Sequence, residues 1–407
     1  MRRVSFLPVI VIVLIALLLD WYVFQGVKAL SFAESDKVQR FVYLMFWTGS
    51  VSLLAAFVFN FYKAIPTGKF TLLFNIVFNA FLTIFITKLV FVLVLFFEDL
   101  YRIGASVLAY YPPRSTLVSQ VALLLAAIPF FSFLFGVTRG KYHYKVRRTI
   151  VYLDDLPSKF EGFTITQISD VHSGSLDSVK GVQRGIDLIN AQQSDLFVFT
   201  GDLVNNQASE IEPWIDIFGQ IKAKAGKFSI LGNHDYGDYM RWDSPEEKAQ
   251  NLMRLKDNHR KLGFRLLLDE NVVIEKEGQS IVLLGVENWG LGFGQRGNLN
   301  KALAGVRTDS VKLLLSHDPS HWDAEVKKHP AKIHLTLSGH THGMQFGIEL
   351  FGFKWSPVKY RYPNWAGLAS ENGRYLYVNR GFGFLGFAGR VGIWPEITVI
   401  ELRKAVE

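Results

Sequence analysis

Four long apolar stretches in the first third of the chain constrain its fold more than any other feature of the sequence. They cover residues 4–24, 41–62, 70–97 and 117–137. Each is long enough to cross a bilayer core of about 30 Å, which requires roughly 20 helical residues. The first stretch resembles a signal peptide, but no small-residue cleavage site follows it and three further stretches come after it. The sequence therefore predicts an α-helical membrane domain of four spans over residues 1–138.

Charge is distributed unevenly between the two parts of the chain. Residues 1–149 hold 15 Lys and Arg against 5 Asp and Glu, a net of +10, whereas the other 258 residues hold 29 against 31, a net of −2. Basic residues that flank apolar spans are typical of membrane topology signals, so we expect no nucleic-acid partner. With the N-terminus inside, nine basic residues flank the cytoplasmic ends and five flank the outer ends. This predicts a multi-pass protein of the cytoplasmic (inner) membrane whose C-terminal domain faces the cytoplasm.

Two details of the membrane part allow more than one interpretation. The segment 139–162 is a basic juxtamembrane linker that contains a first strand, and its charges suit anionic lipid headgroups or serve only as a topology signal, the interpretation that we prefer. Lys88 interrupts the third stretch at a depth similar to that of Asp20 in the first. The two could pair, but we expect Lys88 to extend to the outer interface instead.

From residue 150 onward the pattern changes to short apolar runs that end in polar turn residues. The predicted strands are FTITQISD, DLFVFTGD, KFSILGNHD, QSIVLLGVEN, VKLLLSHDP, KIHLTLSGHTHG, RYLYVNRG and EITVIELR. Helices are predicted between the first three strands, over residues 176–191 and 211–223. Strands that alternate with helices predict an α/β domain with a mostly parallel sheet.

Chemistry-bearing side chains cluster at the C-terminal ends of these strands, the edge where ligands bind in α/β sheets. They are Asp170, His172, Asp202, Asn233, His234, His317, His340 and His342, which include five of the chain's 10 histidines. Four of the remaining five histidines, His259, His321, His329 and His334, are expected on the surface or on a sheet face. Without cysteine, the chain has no disulfide framework and no thiolate zinc site.

Seven of these residues are candidate metal ligands, which is more than one ordinary site uses. The seven are Asp170, His172, Asp202, Asn233, His317, His340 and His342. Two divalent ions that share a carboxylate fit this number, and the mixture of imidazole, carboxylate and amide favours Mn, Fe or Zn, with Mn as our first choice. The glycines Gly339 and Gly343 would let the backbone turn sharply and leave room for metal and substrate. The DVH, GD and Asn-His motifs alone would each more often be a turn or a cap, and HTH alone is moderately suggestive, but five motifs in order at strand ends favour the metal site.

The ordered motifs DVH (170–172), GDLV (201–204), GNHD (232–235), SHDP (316–319) and GHTH (339–342) resemble the calcineurin-like metallophosphoesterases. The resemblance covers about residues 163–403 and implies a two-sheet αββα sandwich that hydrolyses phosphate esters. It also implies the ligands of each ion: Asp170, His172 and His342 for one, Asn233, His317 and His340 for the other, with Asp202 bridging.

The resemblance also implies a catalytic role for His234, which would lie beside the phosphate and stabilise or protonate the departing oxygen. A general acid of this kind contributes roughly 10²- to 10⁴-fold in rate. Asp235 could orient His234 or cap the next turn, and we expect the turn. The chain has Asn205 and Asn206 where the protein serine/threonine phosphatase branch has a carboxylate and an arginine. Its ending, NRGFGFLGF to RVGIWPEITVIEL, looks more like the membrane-associated bacterial branch, which includes phosphodiesterases and lipid A precursor pyrophosphatases.

The segment after His342 is rich in aromatic residues and carries Lys354, Lys359 and Arg361. These cations, with Arg390 further on, are candidate contacts for a substrate phosphate. The aromatic residues would cover an acyl or nucleotide group, or else pack on the domain or rest on the membrane. We therefore expect a membrane-anchored phosphoesterase whose substrate is a phosphate ester, with a lipid or lipid-linked nucleotide as the working hypothesis. The alternatives are a membrane sensor or scaffold whose head binds metal without turnover and, with only Lys88 and Asp20 in its favour, transport by the spans.

Overall fold

The computed structural model describes residues 7–67 and 71–405, and the chain divides into two compact units, Met1–Thr138 and Arg139–Glu407. The predicted beginnings of the first and third spans, residues 4–6 and 70, lie outside the described residues. So do three of the nine cytoplasmic flanking charges, Arg2, Arg3 and Lys69.

The described residues of the first unit form four helices, α1 (Leu7–Leu30), α2 (Asp36–Thr67), α3 (Leu72–Val107) and α4 (Thr116–Thr138). All four are long and apolar enough to cross a membrane, with mean hydropathies between 1.8 and 2.6. Most of their large apolar side chains point outward, as lipid-facing side chains do, and only a narrow core is buried between the helices. One cluster in that core consists of Val23, Phe91, Leu95, Ala122 and Ala126. The prediction of a four-span helical domain is confirmed.

Lys88 pairs inside the helical bundle, so the expectation that it extends to the outer interface is wrong. Its ammonium group donates to the carboxylate of Asp20 in α1 and, over 2.9 Å, to the hydroxyl of Ser50 in α2. The side chains of Lys88 and Asp20 are only 16% and 4% exposed. An unpaired charge in the hydrocarbon region is costly, and a carboxylate on the neighbouring helix removes that cost without moving the ammonium group to the interface.

Residues 139–405 of the second unit form two six-stranded sheets and a separate two-stranded hairpin. The first sheet has the order β1 (Lys145–Leu153), β14 (Glu396–Lys404), β2 (Phe163–Ile168), β3 (Leu196–Phe199), β4 (Lys227–Ser229) and β5 (Arg265–Leu266). The second has the order β12 (Gly367–Glu371), β13 (Arg374–Val378), β9 (Leu335–Ser338), β8 (Lys312–Leu315), β7 (Gln279–Gly285) and β6 (Glu270–Lys276). Neighbouring strands are parallel except for the pairs β14/β2, β12/β13 and β6/β7, so the sheets are mostly parallel, as predicted.

The two sheets pack face to face and helices cover their outer faces. Between the sheets lies a dry core to which both contribute, for example Ile165 and Val198 from the first sheet and Leu313 and Leu337 from the second. A second core joins the first sheet to α5 (Val179–Asn190) and α7 (Pro245–Lys261), and a third joins the second sheet to α8 (Leu299–Ala302) and α9 (Ser320–Ala324). This is the predicted αββα sandwich, and the fold class is confirmed.

The helical segments differ from the prediction in two places. The helix predicted over residues 211–223 is reduced to a 3₁₀ turn, Glu212–Trp214, and a short helix α6, Ile215–Phe218. Pro213 lacks an N–H and so begins a helix rather than continuing one, while Gly219 follows the last helical turn. The long helix α7 was not predicted because its surface is mostly polar; Ser244 caps it by accepting from the N–H of Glu247.

Three of the histidines outside the motifs are buried, and for His259 and His321 this is contrary to the expectation that they lie on the surface or on a sheet face. His259 lies inside α7 and His321 inside α9, each with its ring against a serine hydroxyl, of Ser229 and Ser316 respectively. His334 directly precedes β9 and is 2% exposed. A neutral imidazole tolerates such burial when one nitrogen has a hydrogen-bond partner.

Candidate metal centre

The predicted ligands lie in the loops that directly follow the central strands of both sheets. Asp170 and His172 follow β2, Asp202 follows β3, and Asn233 follows β4 by a few residues. His317 follows β8 in the second sheet, and His340 and His342 follow β9. Because these strands are parallel within each sheet, the loops meet at one edge of the sandwich and bring all of these side chains together.

A first group of ligands consists of Asp170, His172 and His342, all buried. One donor atom of each lies within 4.8 Å of the others. The Nε2 atoms of His172 and His342 are 3.0 Å apart, and His342 Nε2 is 3.2 Å from Asp170 Oδ1. Three donor atoms that converge in this way from two strand ends suit a single cation.

A second group consists of Asp202, His317 and His340. His317 Nε2 is 3.1 Å from Asp202 Oδ2 and 3.3 Å from His340 Nδ1. The other nitrogen of His317, Nδ1, donates to the carbonyl of Thr200 over 2.7 Å. Since a carbonyl only accepts, that hydrogen bond fixes the ring so that Nε2 faces the group, as in histidines that bind metal.

Asp202 lies between the two groups. Its Oδ2 atom is 3.1 Å from His317 Nε2 in the second group and 3.6 Å from His172 Nε2 in the first. Its Oδ1 atom accepts from the backbone N–H of His234 over 2.9 Å. One carboxylate oxygen thus faces both groups, which is the arrangement of a carboxylate that bridges two ions.

Asn233 supplies an amide oxygen that fits a cation. Its Nδ2 donates to the hydroxyl of Tyr239 over 2.8 Å, which orients the amide. Its Oδ1 is buried and has no hydrogen-bond partner among residues 7–67 and 71–405. A buried acceptor without a partner costs free energy, and a divalent cation is a partner that would remove this cost.

The backbone of the candidate ligands is strained. Five of the seven have a positive φ: Asp170 (53°), His172 (46°), Asp202 (61°), His340 (69°) and His342 (49°). For residues other than glycine this left-handed conformation costs roughly 1–3 kcal/mol each, and it concentrates at functional sites. The strain and the unpaired Asn233 oxygen together indicate that the residues fit a pair of bound cations.

The geometry of the site explains why positions 339 and 343, at the start of the GHTH motif and just after it, are glycines. A Cβ atom on Gly339 would lie 2.3 Å from Asp170 Oδ2 and 1.9 Å from Ser169 Oγ, so any side chain there would displace a ligand. Gly343 has a φ of +55°. The chain therefore turns sharply beside the ligands, which agrees with the roles expected from the sequence.

The protonation states of the site favour a positive charge at its centre. Burial by itself would raise the pKa of Asp202, but the imidazoles of His317 and His234 hold it well below its ordinary value. Burial likewise opposes the charged form of His317, but Asp202 raises the pKa of His317 to about 10. The carboxylate therefore stays ionised, and without metal a proton on His317 balances it; a bound cation would replace that proton.

His234 differs from the other histidines of the site. Its Nδ1 lies 2.8 Å from the carbonyl of Asn205, so Nδ1 carries the proton and Nε2 is left available. The ring stacks on Tyr239, with centroids 4.5 Å apart, and meets His172 edge-on. His234 belongs to neither group of ligands and is only partly buried, so its free nitrogen lies beside the groups rather than between them.

Asp235 has a role that the sequence did not reveal. Its buried carboxylate accepts the backbone N–H groups of Gly232, Asp202, Leu203 and Val204 over 2.8–3.3 Å. It neither touches the His234 ring nor caps only the next turn, so it holds the GDLV and GNHD loops together. Burial, followed by the charge of Asp202, raises the pKa of Asp235 to about 7.

The structure corrects the expectation that Arg390 contacts a phosphate. Arg390 is fully buried, and its guanidinium donates to the carbonyls of Arg380, Gly381 and Gly383. Its Nη2 also lies 3.4 Å from His342 Nδ1. With its donors directed at the backbone, Arg390 supports the loop behind His342 and does not face a substrate.

The other three predicted phosphate contacts have different surroundings. Lys354 donates to the carbonyl of Ala366 over 2.6 Å, and Lys359 is exposed beside the Tyr360 ring. Arg361 lies over the ring of Phe293, which itself contacts the His340 ring with centroids 4.6 Å apart. These contacts therefore connect Arg361 to the second group of ligands through Phe293.

Tyr362 is a further residue of the site that the sequence did not single out. Its hydroxyl contacts His340 Nε2 over 3.0 Å and Asp318 Oδ2 over 3.2 Å. A tyrosine in an aromatic-rich loop carries no signal that distinguishes it from its neighbours. Only the fold shows that it holds the outer nitrogen of His340.

Two family models match this chain. Residues 163–344 match the model described as "Calcineurin-like phosphoesterase", and residues 2–141 match "Probable Calcineurin-like phosphoesterase, transmembrane domain". The chain belongs to the calcineurin-like metallophosphoesterases. The predicted family and its membrane-associated character are confirmed.

Relatives of this metallophosphoesterase occur in animals and bacteria. It is 27% identical over 301 residues to a "Transmembrane protein with metallophosphoesterase domain" of Danio rerio, covering 72% of this chain and 63% of that one. It is 29% identical over 252 residues to an uncharacterized metallophosphoesterase of Bacillus subtilis, covering 61% of this chain and 82% of that one. An uncharacterized metallophosphoesterase of Helicobacter pylori is 26% identical over 405 residues, which is 97% of either chain. The chain thus spans slightly less than two thirds of the Danio rerio relative and nearly all of the Helicobacter pylori one.

Proposed function

We propose that this membrane metallophosphoesterase hydrolyses a phosphodiester, pyrophosphate or phosphomonoester bond with two divalent metal ions. The observation that carries the proposal is the position of Asp202, whose Oδ2 atom faces both groups of ligands. A carboxylate placed in this way serves a pair of cations better than a single one.

The proposed ligand sets follow the two groups. Asp170, His172 and His342 would hold one ion, and His317, His340 and the unpaired oxygen of Asn233 the other, with Asp202 shared. When bound, the ions would activate a water molecule and neutralise the phosphoryl oxygens. The mixture of nitrogen and oxygen donors suits Mn, Fe or Zn, and Mn²⁺ is the first ion to test.

Other residues of the chain would position the ligand loops and the substrate and would protonate the departing oxygen. His234 presents Nε2 beside the ligands while the carbonyl of Asn205 holds Nδ1–H, so the ring could give a departing oxygen only a second proton, carried on Nε2 when the ring is an imidazolium. Asp235 keeps the loops of Asp202 and His234 in register through four backbone N–H groups. Arg361, over Phe293, is the proposed contact for a phosphate group that is not cleaved.

The proposed substrate is a lipid or a lipid-linked nucleotide at the cytoplasmic face of the inner membrane. Four spans precede the catalytic unit, and the excess of basic residues at the predicted inner ends supports a cytoplasmic catalytic unit. Exposed apolar and aromatic side chains after His342 would suit an acyl chain.

The purified full-length chain with Mn²⁺ should be tested on bis-p-nitrophenyl phosphate, p-nitrophenyl phosphate and a lipid-linked UDP-sugar. Hydrolysis of at least one of them supports a phosphoesterase, and preference for the lipid-linked compound supports the proposed substrate class. Failure to hydrolyse any of the three while binding Mn²⁺ would instead favour a sensor or scaffold. The presence of both Asp202 and His234 favours turnover over that alternative.

Asp202→Asn should lower kcat by at least about 100-fold, because even partners outside the ligand shell cost 10- to 100-fold when they are lost. Asp216→Asn is the matched control, since Asp216 is an exposed carboxylate in α6. Membrane insertion of both variants should equal that of the wild type. Full activity of Asp202→Asn would remove the shared carboxylate from the mechanism.

A further inference from the structure

The segment that follows the GHTH motif forms a small hairpin of two strands, β10 (Ile348–Leu350) and β11 (Phe353–Trp355). Its strands pair Ile348 with Trp355, Glu349 with Lys354, and Leu350 with Phe353. Directly opposed residues of an antiparallel pair point to the same face, and successive residues point to opposite faces. One face of the hairpin is therefore entirely apolar, and the other carries the charged pair.

The charged face of the hairpin is held by the sandwich. Glu349 accepts from Arg380 over 2.6 and 3.0 Å, and it also pairs with Arg147 of β1. Lys354 donates to the carbonyl of Ala366 over 2.6 Å. These contacts fix the hairpin through its polar side, so its apolar side is displayed outward.

The outward face and the tip of the hairpin expose large apolar side chains. Phe351, at the tip, is 99% exposed, and Ile348, Leu350 and Phe353 are between 52% and 61% exposed. Tyr360 follows at 78%. A contiguous apolar surface of this kind on a soluble domain marks a contact with another molecule or with a membrane.

Chain connectivity favours a membrane as that contact. Arg147, which pairs with Glu349, is only nine residues downstream of Thr138, where the last predicted span ends. Nine residues reach at most about 30 Å, so the chain length limits how far Arg147, the partner of the hairpin, can lie from that span.

The charge of the segment around the hairpin also favours contact with a membrane. Residues 345–361 carry three basic side chains, Lys354, Lys359 and Arg361, against one acidic side chain, Glu349. Lys359 and Tyr360 lie on the exposed surface just after β11. Aromatic and apolar side chains beside basic ones are typical of segments that enter the headgroup region of anionic membranes.

We propose that the hairpin Ile348–Trp355 docks on the surface of the bilayer and inserts Leu350, Phe351 and Phe353 into the headgroup region. The hairpin adjoins the candidate metal centre, since Ser356 Oγ donates to the carbonyl of Gly343 over 2.7 Å. Docking would hold the centre at the lipid surface. It does not require hydrolysis, so it stands or falls independently of the proposed function.

The chain lacks cysteine, so a single Phe351→Cys substitution allows a polarity-sensitive fluorophore to be attached at the tip. The labelled full-length protein would be measured in nanodiscs of phosphatidylcholine with and without phosphatidylglycerol. We expect a blue-shifted emission that is quenched by spin-labelled lipid and protected from iodide, more so with the anionic lipid. Met253→Cys in α7 and Val273→Cys in β6, 63% and 50% exposed, are the controls and should be quenched by iodide alone.

A second labelled variant, Phe351→Cys with Leu350→Asp and Phe353→Asp, should lose at least about tenfold of the lipid quenching, because charged residues resist insertion. Iodide quenching of the tip equal to that of the controls would overturn the proposal. Protection from both quenchers, together with cross-linking between chains, would assign the face to a second copy of the chain and would overturn it as well.

Discussion

At the scale of one residue, His234 differs from the other histidines of the candidate site in where its ring nitrogens point. The histidines of the two ligand groups point nitrogen atoms at each other or at a carboxylate, at distances of 3.0–3.6 Å. His234 instead uses Nδ1 on a backbone carbonyl and leaves Nε2 free. That difference predicts a defect in proton transfer, not in metal binding.

His234→Asn should lower kcat for an alkyl phosphate ester by about 10²- to 10⁴-fold, the usual range for a general acid. The loss should be much smaller for p-nitrophenyl esters, whose leaving group needs no proton, and Mn²⁺ affinity should stay within a few-fold. The measurements are kcat and KM for both esters, together with a metal titration. Equal losses on both esters, accompanied by weaker Mn²⁺ binding, would contradict the role of a proton donor.

Sequence alone was sufficient to single out the side chains at the centre of the site, because their types and their positions after strands carry the signal. Residues that act through the backbone or from another part of the fold carry no such signal. Asp235 holds four backbone N–H groups, and Tyr362 reaches His340 from a distant loop. Arg390 was interpreted from its charge, whereas its burial decides what it contacts.

At the scale of elements, the predicted strands and spans agree with the structure because both rest on apolar runs, short for the strands and long for the spans. The disagreements lie where polar composition dominates, as in α7, or where a proline interrupts a run, as before α6. The β10–β11 hairpin was interpreted only as an aromatic-rich segment, because nothing local indicates which of its faces the sandwich holds. The pairing of α1 with α3 through Asp20 and Lys88 likewise depends on helix packing.

The effects of Asp20 and Lys88 on the stability of the helical unit should be coupled, because each buried charge is compensated by the other. Lys88→Met or Asp20→Asn alone leaves one buried charge unpaired, which costs about 3–5 kcal/mol in protein interiors. The double variant removes both charges, so it should recover much of the lost stability. Thermal midpoints of the full chain in detergent, with Lys28→Met as the exposed control, test this. Additive losses in the double variant would show that the pair is not coupled.

The buried imidazole of His259 in α7 should make the free energy of unfolding depend on pH. Burial lowers the pKa of His259 to about 3, while an unfolded histidine has a pKa of about 6.5. Between these values the unfolded chain binds a proton that the folded chain does not. Burial of neutral His259 therefore makes its full contribution to the free energy of unfolding above pH 6.5. That contribution is lost as the pH falls toward 3, by up to about 1.4 kcal/mol per pH unit.

His259→Asn should make the thermal midpoint of the full chain less sensitive to pH between 7.5 and 5.5 by a few degrees, since about 1 kcal/mol shifts a domain of this size by roughly 2–4 °C. Ser229→Ala is the control, because it removes the hydroxyl 3.0 Å from His259 Nδ1 but keeps the histidine. That variant should be less stable and equally sensitive to pH. An unchanged pH response of His259→Asn would contradict the argument.

At the scale of the whole molecule, two units with different solvents share one chain. The spans require lipid around them, and the sandwich displays one apolar hairpin among otherwise ordinary surfaces. The net charge is uneven, +10 over residues 1–149 and −2 over the rest, so the net positive charge lies in the first unit and in the segment that directly follows it. The sequence thus predicts the topology, whereas the surface that would meet the membrane is evident only in the fold.

The distribution of basic residues predicts which side of the membrane each unit occupies. Tyr111, in the segment between α3 and α4, is 77% exposed and should lie outside, whereas Met253 in α7 should lie in the cytoplasm. Since the chain has no cysteine, Tyr111→Cys and Met253→Cys each provide a single thiol. In intact bacterial spheroplasts that express the variants, a membrane-impermeant maleimide should label only Tyr111→Cys. After permeabilisation it should label Met253→Cys as well. Labelling of Met253→Cys in intact spheroplasts would place the metal centre on the outer face, where cytoplasmic nucleotide-linked lipids could not reach it.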